Sequence, residues 1–156
     1  MLKVNLRHLE EHGIHLQGEL PVAGLDLGVN DELIRVERPL RYDLAVERLN
    51  NAVLVTGSLV LPLDCDCARC LKKFKTELKL AGWALHLPLE GEDQVPVDND
   101  CVDLTPFIRE DILLDFPRHP LCRPECAGLK NKARQSQAGE NPALNVWAEL
   151  DKLKLK

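Results

Sequence analysis

Two pairs of cysteines constrain this chain more than any other feature. Cys67-Ala-Arg-Cys70 and Cys122-Arg-Pro-Glu-Cys126 lie roughly fifty residues apart, and both gaps are those of zinc-binding pairs. Zinc takes four ligands in a tetrahedron, about 2.3 Å from each thiolate, and one short turn with two cysteines supplies half such a set. If the pairs meet, the fold must bring the segment around residue 122 back onto the turn at 67–70. The spacing favours a zinc site of Cys67, Cys70, Cys122 and Cys126. Four sulfurs close the coordination shell, which makes such a metal structural rather than catalytic. Arg69 and Arg123, beside the ligands, are expected to lower the thiol pKa values.

The remaining candidates are weighed against this set. Cys65 stands two residues before Cys67 and shares its face on an extended strand, so it is either a substitute ligand or a neighbour. Cys101 reads as a small buried hydrophobe, and His119 as a polar loop residue rather than a ligand. Three other readings of the cysteines stay open: buried free thiols without metal, thiol redox chemistry at Cys67-x-x-Cys70, and a disulfide-linked secreted domain. The redox reading lacks the expected βαβ context. The secreted one needs a signal peptide, whereas Met1-Leu-Lys-Val-Asn-Leu-Arg-His8 is alternating and charged, without an apolar core. A cytoplasmic chain is expected, where paired cysteines are kept reduced.

Hydrophobic periodicity sets the fold class. Leu2, Val4 and Leu6 alternate with charged or polar residues, as in a half-buried strand, and Ile14 to Leu20 suggests a second. Pro21, Gly24 and Gly28 punctuate a looser stretch. Leu40 to Glu47 and Ala52 to Leu63 alternate around Asn50-Asn51, which predicts a long antiparallel hairpin with a bulge or bend at Gly57. Phe74 to Leu89 adds a third strand, so the cysteine turn joins two antiparallel neighbours. Leu104, Ile108, Ile112 and Phe116 then recur at helical spacing, widened by Phe107 and Leu114. Caps are expected at Asp103 or Thr105, and Pro117 as the stop. Residues 127–140 show no period. Asn141-Pro142 opens a short helix with Ala143, Val146, Trp147, Leu150 and Leu153 on one stripe. The expected fold is α+β: an antiparallel sheet, possibly closing toward a barrel, one packed helix, a cysteine-stapled turn and a short C-terminal helix. Residues 1–129 form the domain, and 130–156 a flexible linker with that helix.

Charge and motifs limit function. The 156 residues carry a net charge of −5, which argues against broad nucleic-acid binding while allowing a local basic patch. No apolar run reaches the roughly 20 residues of a membrane span. Phosphate-loop, dinucleotide, nucleophile-elbow and zinc-protease motifs are missing, so neither an enzyme nor a small-molecule substrate is expected. Five carboxylates between Glu90 and Asp100 read as a solvated loop, with a site for a basic partner as the sharper alternative. Arg35, Arg38, Arg41 and Arg48 read as a solvated strand face, with an RNA-contacting stripe as the minority reading.

Taken in order, several of these segments resemble a known family. They are Val55-x-Gly57-x-Leu-x-Leu-x-Leu, Cys67-Ala-Arg-Cys70-Leu71, Asp103-Leu-Thr-Pro-Phe-Ile-Arg-Glu110-Asp-Ile-Leu-Leu, Pro120-Leu121-Cys122-x-x-x-Cys126-x-Gly128-Leu129, and Asn141-Pro142 with Trp147 and Leu150. The pattern is similar to that of the bacterial and plastid YceD-like proteins, described as large-subunit ribosomal RNA accumulation proteins. Many of these continue with a further Cys-x-x-Cys-Gly, whereas no cysteine follows Cys126 here. The resemblance implies a non-enzymatic role in large ribosomal subunit biogenesis. The expected partner is a ribosomal protein or a maturation factor, favoured by the acidic balance. Direct binding of ribosomal RNA is the alternative, and thiol oxidoreductase activity a third reading.

Overall fold

The computed structural model describes residues 1–9, 13–28 and 31–129. In chain order the elements are β1 (Lys3–Asn5), a 3-10 turn (Leu6–Leu9), β2 (Ile14–Leu20), α1 (Val22–Leu25), β3 (Ile34–Arg35), β4 (Leu40–Leu49), β5 (Ala52–Asp66), β6 (Lys73–Pro88), β7 (Cys101–Asp103) and α2 (Thr105–Leu114). The architecture is α+β. An antiparallel sheet of order β2-β4-β5-β6 curls into a half-barrel, and β3 pairs with the far end of β5.

Period-two burial builds this sheet. On β4, Leu40, Leu44 and Val46 point inward, and on β5 Val53, Val55, Leu59, Leu61 and Leu63 do so, all essentially inaccessible. The register pairs Val46 with Val55 and Leu49 with Ala52. That leaves Asn50-Asn51 as a two-residue loop, and Asn50 takes a φ of 30°, which asparagine tolerates better than most residues.

β6 holds the irregularity. Its inward side chains are at even positions from Phe74 to Leu80, then at odd positions at Trp83, Leu85 and Leu87. An alternating strand cannot change parity without an extra residue. Here that residue is Gly82: Ala81 pairs with Ser58 and Trp83 with Gly57, so Gly82 is left over, at φ 70°. The bulge expected at Gly57 therefore lies on the facing strand. Gly57 has its own constraint, because a Cβ there would collide with the Asp43 carbonyl oxygen of β4.

α2 covers the inner face of the sheet with Ile108 and Ile112, joined by Leu104 just before it, none of which is solvent-exposed. Trp83 Nε1 donates to Asp111 Oδ2 at 2.6 Å and ties the helix to β6. Asp103 Oδ1 accepts from the Thr105 amide at 2.9 Å in a local side-chain-to-backbone bond; the N-cap is Leu104, without a side-chain capping bond, rather than Asp103 or Thr105 as expected. The Leu2 amide donates to Thr105 Oγ1 at 2.8 Å, and β1 pairs with β7, so the N-terminus closes over the start of the helix. Three further details differ from expectation. The helix ends at Leu114 rather than at Pro117, and Leu114 is 84% exposed. At about 100° per residue it lies well around the helix from Ile108 and Ile112. The first strand stops at Asn5, because Leu6 and Leu9 turn inward on the 3-10 turn. Cys101, paired with Asn5, is half-buried rather than fully buried. The C-terminal helix and the boundary after residue 129 lie outside the described residues.

The close approach at Gly57 has a measurable consequence. Gly57→Ala should destabilise the fold by roughly 2–4 kcal/mol. Gly28→Ala, at φ 60° with open space around it, should cost about 1 kcal/mol. Urea denaturation of both variants checks this, and equal losses would contradict the crossing of β4 and β5 described above.

Candidate metal centre

β5 runs out at Asp66, and the next residue is Cys67. The Leu71 amide donates to the Cys67 carbonyl and the Cys67 amide to the Lys72 carbonyl, both at 2.9 Å. These bonds make a tight turn, completed by Leu71 at a φ of 59°, an uncommon conformation for a side-chain-bearing residue. The turn sends the chain back into β6. Cys67 and Cys70 thereby project from one hairpin end, as their spacing suggests.

The second pair arrives after α2. The Ala68 amide donates to the Pro120 carbonyl at 2.8 Å, which lays the incoming segment against the hairpin turn. The Cys126 amide donates to the Arg123 carbonyl at 3.2 Å, closing a second turn. Arg69 Nη1 donates to the Cys126 carbonyl at 3.1 Å. The two segments are thus joined by backbone and guanidinium bonds as well as by their sulfurs.

All four sulfurs converge. The Sγ atoms of Cys67, Cys70, Cys122 and Cys126 lie within 4.8 Å of one another. Cys67 to Cys126 and Cys70 to Cys122 are each 3.7 Å. A disulfide needs about 2.05 Å, so these are thiols in van der Waals contact. A tetrahedron with metal–sulfur bonds of about 2.3 Å has edges of about 3.8 Å, close to these two separations, and the group as a whole spans no more than 4.8 Å. The group can hold a metal ion, and four soft sulfurs suit zinc or iron.

The electrostatics favour a cation at the centre. The Cys67 thiol is pulled down to about 6, chiefly by the Cys122 amide across the junction. Burial opposes this, while the amides of Arg69 and Cys70 reinforce it. Cys122 is pushed up to about 12 by burial first, then by the neighbouring sulfurs of Cys70, Cys67 and Cys126. One thiolate forms readily and the last resists, as expected of four crowded sulfurs lacking a counter-charge. The expectation that adjacent arginines lower the thiol pKa values needs correcting, since backbone amides do so at Cys67 while Arg69 binds a carbonyl.

The other candidates fall elsewhere. Cys65 sits on β5 between Ile34 and Phe74, fully inaccessible, with its thiol pushed up by burial. His119 is exposed and not part of the sulfur group. The spacing did not point to Arg35 and Asp66, which pair at 2.7 Å immediately before Cys67. Opposite charges thirty-one residues apart become neighbours only once β3 is laid on β5.

A family model described as "Large ribosomal RNA subunit accumulation protein YceD" matches residues 55–154. The chain belongs to the YceD family. The match begins within β5, covers both cysteine pairs and α2, and runs beyond the described residues. Among curated relatives of this YceD chain, an uncharacterized protein of Mycobacterium tuberculosis is 34% identical over 108 residues, 63% of this chain and 52% of its own. An uncharacterized protein of Mycobacterium leprae is 29% identical over 108 residues, 63% of this chain and 50% of its own. The uncharacterized protein YlbN of Bacillus subtilis is 26% identical over 117 residues, 72% of this chain and 62% of its own. The chain thus spans about half the length of the mycobacterial relatives it matches. No solved structure matches it. Among the described residues no helix is long and apolar enough to cross a membrane.

The Arg35 hydrogen bond holds the Asp66 carboxyl below its usual range. Its stabilising contribution is therefore present above the unfolded value of about 3.9 and lost as pH falls through the lower folded value. Urea midpoints measured below about pH 4 should fall more steeply for the native chain than for Asp66→Asn. Parallel curves would show that the pair contributes nothing at the base of the cysteine turn.

Proposed function

We propose that this chain supports accumulation of large-subunit ribosomal RNA without catalysing a reaction. In this reading it is a cytoplasmic binding adaptor whose shape at one end depends on a structural zinc. The family match over residues 55–154 carries the biogenesis part. The convergence of four thiols supports the zinc part. A tetrathiolate leaves the metal no open position for water or substrate, which fits a staple better than a catalyst. It also places Cys67 and Cys70 among four sulfurs rather than as an isolated redox pair.

An adaptor needs a partner, and the net charge of −5 favours a basic one, such as a ribosomal protein or a maturation factor with a basic face. The zinc fixes how the two cysteine-bearing segments sit against each other. Loss of metal then disturbs that end of the sheet while leaving the α2-packed core largely intact.

A deletion strain provides the test. Removing the gene should lower large-subunit relative to small-subunit ribosomal RNA, and the native chain should restore the ratio. Cys67→Ser/Cys126→Ser should restore it poorly, whereas Cys101→Ser should restore it fully. An unchanged ratio on deletion would overturn the biogenesis reading, and full rescue by the double variant would remove zinc from it.

A further inference from the structure

Three arginines on and around β3 and β4 are occupied. Arg35 pairs with Asp66 at 2.7 Å, Arg38 with Asp64 at 3.4 Å and Arg41 with Glu77 at 2.6 Å. Their charge is spent against carboxylates on neighbouring strands, which leaves little for an outside polyanion. The stripe along that hairpin is therefore a solvated, internally neutralised face.

Uncompensated positive charge is concentrated elsewhere. Segments 67–75 and 117–129, which the sulfur group brings together, hold Arg69, Lys72, Lys73, Lys75, Arg118 and Arg123 against one carboxylate of their own, Glu125; Lys75 pairs with Asp64 at 3.9 Å and Lys73 lies opposite Asp66 on β5. Among the described residues Lys72, Arg118 and Arg123 form no ion pair. Lys72 and Arg123 line an open cleft of about 530 Å³ beside Cys70, Cys122 and Cys126. Arg69 adjoins it, fixed by its bond to the Cys126 carbonyl, and a planar guanidinium has further donors to offer.

The rest of the molecule has the opposite sign. β6 leads from this end to the loop 89–100, which contains five carboxylates and no lysine or arginine; Asp98 and Asp100 pair with Lys3 and Arg7, and Glu90, Glu92 and Asp93 remain. Sixteen strand residues cover roughly 50 Å at about 3.3 Å each. The charge is therefore polarised along β6, and the net value of −5 conceals a basic end. Such a field attracts a polyanion to one end and turns the other away. Cations spread along an open cleft on two segments suit an array of phosphates better than one small anion.

On this geometry, and resting on the biogenesis reading above, we infer that the metal-bearing end of the sheet is an RNA-backbone contact surface. Arg69, Lys72 and Arg123 engage phosphates of large-subunit ribosomal RNA there, and the cysteine group holds these cations in one array. The contact is to the backbone rather than to bases, because the described residues lining the cleft include no aromatic stacking platform.

Fluorescence anisotropy with a labelled transcript of a large-subunit RNA domain tests this, using the full zinc-loaded chain between about 50 and 300 mM salt. The native chain should bind with affinity falling steeply as salt rises. Lys72→Glu/Arg123→Glu should weaken binding at least about tenfold at low salt and reduce the log–log salt slope by roughly 1.5–2. Zinc content and urea midpoint should stay unchanged. Lys72→Gln/Arg123→Gln should lower the slope by a similar amount while weakening binding less, and Arg41→Gln should move neither. Absence of binding at 50 mM salt, or equal binding by the double variants, would overturn the inference. So would charge reversal that strengthens capture of a basic ribosomal protein while leaving RNA affinity intact, which would make this a protein-binding face. If RNA binds through these residues while deletion leaves ribosomal RNA levels unchanged, the contact stands and the biogenesis reading falls.

Discussion

The meeting of Cys67 and Cys70 with Cys122 and Cys126 is the constraint on which this end of the molecule depends. The first pair rides on the hairpin turn between the two longest strands, and the second on a segment without regular secondary structure. Apart from the sulfurs, the Ala68–Pro120 and Arg69–Cys126 hydrogen bonds join them. A link across some fifty residues restricts the unfolded chain by about 4 kcal/mol on the chain-entropy account. That is a sizeable share of the 5–15 kcal/mol typical of a whole domain.

Elsewhere the fold follows from burial. The odd positions of β5 other than Gly57 are inaccessible, and the partner strands adapt to them. β4 crosses close enough at Gly57 to exclude any side chain, and β6 inserts Gly82 to bring Trp83 inward. Once inward, Trp83 holds Asp111 of α2, so one extra residue in a strand decides where the helix is anchored. α2 then delivers the chain toward Pro120 and the second cysteine pair.

Much of this was legible in the residues. The hairpin around Asn50-Asn51, the long third strand and the amphipathic helix follow from periodicity, and the four sulfurs that converge are those singled out by spacing. The parity change in β6 was also written in the sequence, as Leu80 followed by Trp83, but it needs the whole strand read at once. Other features were not legible because they depend on tertiary placement. Arg69 on the Cys126 carbonyl, Arg35 on Asp66 and the burial of Cys65 between Ile34 and Phe74 arise only when distant segments pack. α2 stops at Leu114 while Phe116, the last residue of its stripe, still packs against the core from beyond the helix. The basic end was hidden by the overall charge, because the arginines nearest in sequence are neutralised and the free cations come from two separate segments.

Metal content tests the central claim most directly. Protein purified without chelator should contain about one zinc per chain, bound by four sulfurs at about 2.3 Å in X-ray absorption. Its removal should expose four reactive thiols and lower the unfolding midpoint. A chain that is isolated metal-free, takes up no zinc and is as stable with chelator as without it would contradict the account.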